Sequence, residues 1–131
     1  NPELMQQPYQ PQIQGAMLAW ATTTLDQVST GRAAPTVTTE LQVLRIGDLA
    51  LVSAPGELFV ELGLAIKQGA DVEQIFVCGF GNDNIGYIPT PQAYPQGGYE
   101  VAEAYKYYRY PAALAPEAGQ HLVATALGLL T

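Results

Sequence analysis

The chain has 131 residues, 48% of them hydrophobic, and a formal net charge of −7 at pH 7. This composition is typical of a globular domain rather than a disordered segment, and the length is sufficient to bury a core. The five cations are scattered along an acidic chain, which argues against nucleic-acid binding. No apolar run reaches the roughly 18 residues of a membrane span.

The first residues resemble a linker more than the start of a domain. The chain begins at Asn1 instead of a methionine, and residues 1–12 contain three prolines. Because prolines favour extended backbone, we predict a linker-like extended segment over residues 1–12. We expect residues 13–131 to form a single α/β domain or the C-terminal part of a larger one.

A helix and a β-hairpin are predicted next. Apolar side chains recur at helical spacing between residues 13 and 28, Gly31 ends the pattern, and Trp20 is predicted to anchor this helix in the core. Residues 36–53 have the composition of two short strands, with a two-residue turn at Gly47-Asp48 between them.

A strand, a helix and a second strand follow. The run LALVS is a short apolar strand, Pro55-Gly56 leads into a helix that ends at Gly69, and IFVCGF over 75–80 is a second strand. A helix of about a dozen residues between two strands favours a parallel crossover. Residues 81–116 show no regular period, and a last helix opens at Pro116. The predicted fold is therefore α/β, with a mixed sheet, an N-terminal helix, a hairpin, a strand-helix-strand crossover and a C-terminal helix, as an incomplete part of a larger domain.

Polar side chains follow both strands of this crossover. Glu57 comes after the first strand and Tyr87 after the second, and ligands of open α/β sheets bind at the shared carboxyl edge of parallel strands. The helix macrodipole alone would also favour Glu57 in a first helical turn. Asn82, Asp83 and Asn84 can likewise satisfy a turn without any ligand. The local pattern leaves these explanations open.

Three further residues carry weaker signals. Tyr99 follows Gly97-Gly98, which first of all indicates a turn. His121 stands alone in the last helix, where we expect a surface or packing role. Cys78, the only cysteine, lies in an apolar run and is expected to be a small buried hydrophobe. The sequence contains no HExxH, CxxC or phosphate-binding loop.

The order of motifs in the second half resembles a known family. The stretches LRIGDLALVSAPGELF and VCGFGNDNIGYIPTPQAYPQGGYE are similar to the C-terminal part of the catalytic domain of the neutral/alkaline ceramidases, and fit best their bacterial ceramidase-like branch. The resemblance extends over residues 36–130. The elements that carry it are Pro55-Gly56-Glu57, the loop from Asn82 to Tyr87, Thr90, and Tyr99-Glu100.

This resemblance implies an activity, a metal and site residues. The family hydrolyses the amide of an N-acyl lipid at a zinc site, and Glu57 and Tyr87 match two of its zinc ligands. Tyr99, twelve residues after Tyr87, matches a tyrosine at the substrate end of the pocket, and Asn82 is the other expected substrate-binding residue. The family's two histidine ligands and its catalytic serine lie upstream, so the zinc site in this chain is expected to be incomplete, with no catalytic residue of its own. The resemblance also implies a secreted or periplasmic location.

Three functions remain open on this basis. In the first, the chain is the C-terminal part of a ceramidase-like zinc amidohydrolase, inactive alone and completed by an upstream half. Alternatively, a second chain supplies the histidines to an otherwise similar enzyme. The third possibility is a stand-alone, non-catalytic binding or assembly module of the same fold. Because a missing upstream half would expose apolar surface, a homo-oligomer is compatible with a fragment as well as with a module.

Overall fold

Helices and strands occur in a mixed order along residues 10–32 and 36–131, the part of the chain that the computed structural model describes. This order confirms the predicted α/β class. In chain order the elements are α1 (Gln10–Ser29), β1 (Gln42–Ile46), β2 (Leu49–Ser53), β3 (Glu57–Leu58), α2 (Val60–Gly69), β4 (Gln74–Cys78), β5 (Tyr87–Ile88), a 3-10 helix (Pro91–Gln96), α3 (Tyr99–Ala102), α4 (Ala104–Tyr107) and α5 (Ala118–Leu130).

Three strands form a mixed sheet in the order β1-β2-β4. β1 and β2 are antiparallel and are joined at Gly47-Asp48, where Gly47 takes a φ of 60° at the first position of the turn. β2 and β4 are parallel and are connected through α2. The hairpin and the crossover predicted from the sequence are both present.

One face of this sheet is covered by α2 and α5. Ile66 of α2 and Ala126 of α5 are fully buried against Ala50 and Val52 of the central strand. The partly buried side chains that complete this core include Val43, Ile75, Val77, Leu122 and Leu127. The core is therefore a single layer of helices on one side of a three-stranded sheet.

The opposite face of the sheet is open to solvent among the described residues. Leu44, Leu51 and Phe76 lie in register across its three strands, and Leu44 and Phe76 are 50% and 59% exposed. Cys78 is exposed as well, so the prediction that it is buried is wrong. Side chains alternate along a strand, and Val77 faces the helices, so its neighbour Cys78 faces away from them.

The first helix packs away from this core. α1 begins at Gln10, earlier than the predicted start at residue 13, and residues 1–9 of the predicted extended segment lie outside the described residues. Trp20 Nε1 donates a hydrogen bond of 2.7 Å to the carbonyl oxygen of Tyr110, and the indole packs edge-to-face on Tyr105. Trp20 therefore anchors α1 to α4 rather than to the sheet core, which corrects its predicted place.

The stretch predicted to be irregular, residues 81–116, contains β5, the 3-10 helix, α3 and α4. These elements are short because prolines and glycines interrupt them, as at Pro95 and Gly97. The hydroxyl of Tyr94 donates a hydrogen bond of 2.7 Å to the carbonyl oxygen of Leu114 and so ties the 3-10 helix to the segment before α5. Within residues 10–32 and 36–131, no helix has the length and apolar character needed to span a membrane.

Replacing Ile66 by alanine tests the position of the core. Ile66 is fully buried between α2 and the sheet, so the cavity left by Ile66→Ala should lower the free energy of unfolding by about 2–5 kcal/mol. Leu129→Ala, at a side chain that is 51% exposed, is the control and should change it by no more than about 0.5 kcal/mol. Urea unfolding followed by circular dichroism measures both, and equal effects would contradict this core.

Candidate functional site

Glu57 lies in a strand and not in a helix. Residues Glu57–Leu58 form β3, which pairs in parallel with Tyr87–Ile88 of β5, and α2 begins only at Val60. The expectation that Glu57 belongs to a first helical turn is therefore wrong, and the macrodipole does not account for this carboxylate. In the strand pairing Glu57 and Tyr87 are direct partners. Their side chains consequently project from the same face of a small second sheet.

A close approach of two backbone turns holds this pair in place. The amide of Glu57 donates to the carbonyl oxygen of Gly86 at 2.9 Å, and the amide of Ile85 donates to that of Pro55 at 2.8 Å. A Cβ atom on Gly56 would overlap the Gly86 carbonyl oxygen, so only glycine fits there. Gly79 approaches from the other side, where a Cβ would lie 2.8 Å from the carbonyl oxygen of Gly56.

The loop before Tyr87 is a self-satisfied turn. Asp83 Oδ1 accepts a hydrogen bond from the Asn84 amide at 2.7 Å, and Asn84 Oδ1 accepts one from the Gly86 amide at 3.1 Å. Asn82 takes a φ of 67°, which asparagine tolerates better than most residues. These bonds turn the chain back toward β3, so the turn itself places Tyr87 beside Glu57.

Asn82 is turned away from the pair. Its Nδ2 donates to Glu40 Oε1 at 3.2 Å and to Gln42 Oε1 at 3.4 Å, beside the start of β1. The structure thus brings Glu57 and Tyr87 together but does not bring Asn82 to them. The expected substrate-binding role of Asn82 stays a prediction.

The phenol of Tyr87 lies beside the Glu57 carboxylate. Burial raises the pKa of Tyr87, and the hydrogen bond to Glu57 and the negative charge of that carboxylate raise it further. At neutral pH the phenol is therefore protonated. A hydrogen-bond donor, the phenol of Tyr87, and an acceptor, the carboxylate of Glu57, therefore lie side by side on the paired strands β3 and β5.

A cluster of tyrosines surrounds this pair. The Tyr99 ring lies edge-to-face with Tyr87 at 6.0 Å between ring centroids, and the Tyr107 ring lies 6.4 Å beyond it. The pKa of Tyr99 is raised, first by burial and then by the neighbouring phenols of Tyr107 and Tyr108. Tyr108 packs its ring against Gly86. Tyr107 and Tyr108 belong to no motif in the sequence, although the density of tyrosines after residue 94 is a usable signal for such a cluster.

An open cleft of about 390 Å³ begins at Glu57. It runs between α2 and the end of β4, and its walls include Val60, Leu64 and Phe80. Glu57 therefore lies between the tyrosine cluster and a largely apolar cleft.

The donor set of the pair fits only part of a metal site. A carboxylate and a phenol oxygen are ligands that zinc accepts, but a zinc site takes at least one further protein ligand. Within the described residues, no three His, Cys, Asp or Glu side chains cluster closely enough to hold a metal ion. His121 lies on α5 beside a different pocket, next to Pro55 and Leu122. The residues thus fit two oxygen ligands of an otherwise incomplete centre.

Comparison with known proteins gives matches in one family. No family model matches the chain. The neutral ceramidase of Mycobacterium tuberculosis (strain ATCC 25618 / H37Rv) is 35% identical over 66 residues, which cover 46% of this chain and 10% of that protein.

Two solved structures have the same fold over most of the chain. The crystal structure of neutral ceramidase from Pseudomonas aeruginosa is 26% identical with a TM-score of 0.52, and the match covers 73% of this chain and 16% of that one. A ceramidase complexed with C2 is 24% identical with a TM-score of 0.51. This match covers 68% of this chain and 14% of that one, and it shows only that the two share a fold.

The chain is therefore similar to the ceramidases in fold and in sequence. More narrowly, it is related to a part of the neutral ceramidases, so the family resemblance predicted from the sequence is confirmed. The chain spans between 10% and 16% of the length of these relatives.

A side chain at Gly56 should separate the two strands of the site. Gly56→Ala places a methyl group against the backbone of Gly86, and such overpacking should lower the free energy of unfolding by about 1–3 kcal/mol. Gly15→Ala in α1, where no atom lies within 4 Å of the added Cβ, is the control and should be neutral or slightly stabilising. Urea unfolding would contradict the close approach if both variants matched the parent.

The alkaline titration of Tyr87 tests its partial burial beside the Glu57 carboxylate. Tyr87→Phe should remove one phenol whose pKa lies above the ordinary value of about 10. Because the folded state holds this proton more tightly than the unfolded state, its contribution to stability is present below about pH 10 and is lost as the pH rises through the raised pKa. Tyrosinate absorbance compares the two proteins. If the phenol that Tyr87→Phe removes has an ordinary pKa, the burial of Tyr87 beside the Glu57 carboxylate is contradicted.

Proposed function

We propose that this chain supplies part of the metal site and part of the substrate pocket of a ceramidase-like amide hydrolase that acts on an N-acyl lipid. The observation that carries the proposal is the direct pairing of Glu57 with Tyr87 across β3 and β5. These are the two residues that the family resemblance assigns to zinc. The proposal is supported by the neutral ceramidase of Pseudomonas aeruginosa, which has the same fold over 73% of this chain.

In this proposal Glu57 and Tyr87 are two oxygen ligands of a zinc ion. A bound zinc ion supplies Lewis-acid polarisation of the amide carbonyl and lowers the pKa of a coordinated water. Glu57 would contribute the negative charge that attracts the cation, and Tyr87 would bind it as a phenolate after releasing its phenol proton to solvent. Tyr99, in contact with Tyr87, lines the approach for the substrate.

The remaining ligands come from outside this pair. Zinc prefers nitrogen and sulfur donors alongside oxygen, and the resemblance assigns two histidines and a serine nucleophile to an upstream region. We propose that an upstream half of the same enzyme, or a second chain, carries them. The 131 residues alone are then inactive, although they retain weak affinity for the metal.

A non-catalytic assembly module is the second candidate, and the open sheet face favours it. Leu44, Ile46 and Phe76 are all at least half exposed on one face of the sheet. A contiguous exposed apolar surface is typical of a protein interaction site. A module that associates through this face needs no metal, so the two candidates differ in their response to zinc.

Zinc binding to matched variants tests the proposal. Isothermal titration calorimetry should show weak zinc binding to the parent chain. Glu57→Gln should lower the zinc affinity by about tenfold or more, because mutating even an outer-shell partner of a metal ligand costs about that much. Glu61→Gln, which changes an exposed glutamate on the neighbouring turn of α2, should bind zinc as the parent does. Binding that Glu57→Gln leaves unchanged would refute the assignment.

The Tyr87 phenol gives a second readout. Added zinc should lower the pH at which one tyrosinate appears in the parent chain, because the cation favours the ionised phenol. Tyr87→Phe should remove this zinc-dependent signal, whereas Tyr107→Phe, at a tyrosine that is 43% exposed, should keep it. Native mass spectrometry with and without zinc then separates a metal-free homodimer from a complex that retains zinc.

A further inference from the structure

β4 is an outer strand of the three-stranded sheet in the part of the chain that the structure describes. It pairs in parallel with β2 on one side, and the carbonyl oxygen of Cys78 accepts a hydrogen bond of 2.8 Å from the amide of Ala54, just beyond β2. The backbone groups of successive strand residues point to opposite sides, so those of Ile75 and Val77 point away from β2. The outer edge of β4 therefore offers backbone donors and acceptors to another strand.

The sequence of β4 does not protect this edge from pairing. The strand Gln74–Cys78 reads QIFVC and contains no charged residue and no proline. Charged side chains and prolines are among the features that keep natural edge strands from pairing with other chains. β1, the other outer strand, contains Arg45, whose guanidinium donates to the carbonyl oxygen of Leu130 at 3.2 Å. Of these two edges, β4 is therefore the one that is open to pairing.

One stripe of α2 lies beside the same edge. Val60, Gly63, Leu64 and Lys67 follow one another at positions i, i+3, i+4 and i+7, and they line the open cleft together with Val77 of β4. Val60 is 69% exposed and Leu64 is 46% exposed. A Cβ on Gly63 would lie 3.9 Å from Val77 Cγ1, so packing within the chain does not require glycine there. Because glycine is unfavourable in a helix interior, a second helix that approaches closely from outside would account for it.

We propose that β4 pairs with β4 of a second copy of this chain, antiparallel across a two-fold axis, so that two three-stranded sheets join into one. In this register Ile75 lies opposite Val77 of the second copy, and the two residues exchange both backbone hydrogen bonds because their backbone groups point outward. Phe76 lies opposite its own copy on the open face of the sheet, where aromatic cross-strand pairs are favourable. The edge is thus complementary to itself, which a two-fold contact requires.

Packing and charge favour a second copy over a single extended peptide. A peptide would pair with β4 but leave the stripe on α2 exposed. A second copy covers both, because Gly63 lies beside Val77 and the same two-fold axis therefore brings the two α2 helices together near Gly63. Lys67 is the only charged residue of the stripe and of β4. In antiparallel helices the two Lys67 residues are about 10 Å apart along the axis, so they do not oppose each other.

The contact is small, so we expect a weak dimer. It takes five strand residues and four helix residues from each copy, whereas a standard interface takes about 20–30 residues a side. Small interfaces are typical of transient association, and we expect a dissociation constant of roughly micromolar size. Neither Glu57 nor Tyr87 takes part in the strand pairing, so the proposal does not depend on the metal assignment.

Sedimentation velocity of the full chain, with a chelator present, tests the strand pairing. We expect the mass to double as the concentration rises through the micromolar range. Val77→Pro removes the outward N–H, which an edge strand tolerates, and should weaken dimerisation by about tenfold or more because the two-fold axis removes the hydrogen bond twice. Val43→Pro is the matched control and should dimerise as the parent does. The backbone of Val43 also points away from β2, but at the opposite edge of the sheet.

A second pair of variants tests the helix contact and does not alter the strand. Gly63→Lys places a bulky charge near the two-fold axis and should weaken dimerisation by about tenfold or more, since like charges that face each other across an interface are costly. Gly128→Lys on α5, where no atom lies within 4 Å of the added Cβ, should dimerise as the parent does. Lysine favours helix over glycine, so both variants should fold. They keep the proposal testable if circular dichroism shows that Val77→Pro is unfolded.

A spin label on Cys78 reports the register. Cys78 is the only cysteine of the chain and is exposed. In the proposed pairing it lies opposite Gln74 of the second copy, which puts the two Cys78 Cα atoms about 14 Å apart at the rise of about 3.4 Å per strand residue. Dipolar broadening of the nitroxide spectrum should therefore appear at concentrations at which the dimer forms. Sharp spectra from a dimer would overturn this register.

The remaining outcomes separate this contact from other contacts. A parent chain that stays monomeric through the micromolar range would overturn the proposal, as would equal weakening by Val77→Pro and Val43→Pro. A dimer that Leu44→Lys abolishes and Val77→Pro preserves would place the contact on the open sheet face instead. Glu57→Gln should dimerise as the parent does even where it loses zinc, so the dimer and the metal assignment can fail separately.

Discussion

The site depends on how closely two backbone turns approach each other. Gly56 and Gly86 leave no room for a side chain between them, and this contact lets β3 and β5 pair over only two residues each. A two-residue pairing is too short to persist alone. Hydrogen bonds on both flanks, from Ile85 to Pro55 and from Phe59 to Ile88, hold it in register. Any chemistry of Glu57 and Tyr87 depends on this small backbone contact.

The layered core explains why those turns meet. β2 and β4 are parallel neighbours, so the chain leaves both strands at the same edge of the sheet. The amide of Gly81 donates to the carbonyl oxygen of Ala54 at 2.8 Å, immediately beyond the strand ends. The apolar packing of α2 and α5 fixes the strands, the strands fix the turns, and the turns fix the two oxygen atoms. Stability and site geometry are in this sense one network of contacts.

Sequence periodicity was sufficient for the sheet but not for the site. The alternation of LALVS, the Gly47-Asp48 turn and the apolar strand after residue 74 each report a local preference, so the hairpin and crossover could be predicted. Glu57 was misassigned to a helix because the pairing that makes it a strand residue lies thirty residues away, at Tyr87. Cys78 was misassigned because an apolar run does not reveal which face of a sheet lacks a covering layer. The hydrogen-bond partners of Asn82, on and before β1, are also distant in sequence and could not be predicted from its own loop.

The placement of Trp20 has a consequence for optical studies of this protein. It is the only tryptophan, and it reports on the contact between α1 and α4 rather than on the sheet. The Lys106 ammonium group lies 5.5 Å from the centre of its ring, so the emission of the indole senses a nearby positive charge. Detachment of α1 would change this emission while the sheet stayed intact. An emission-based melting curve would then describe the release of one helix, and an observer would mistake it for the collapse of the whole fold.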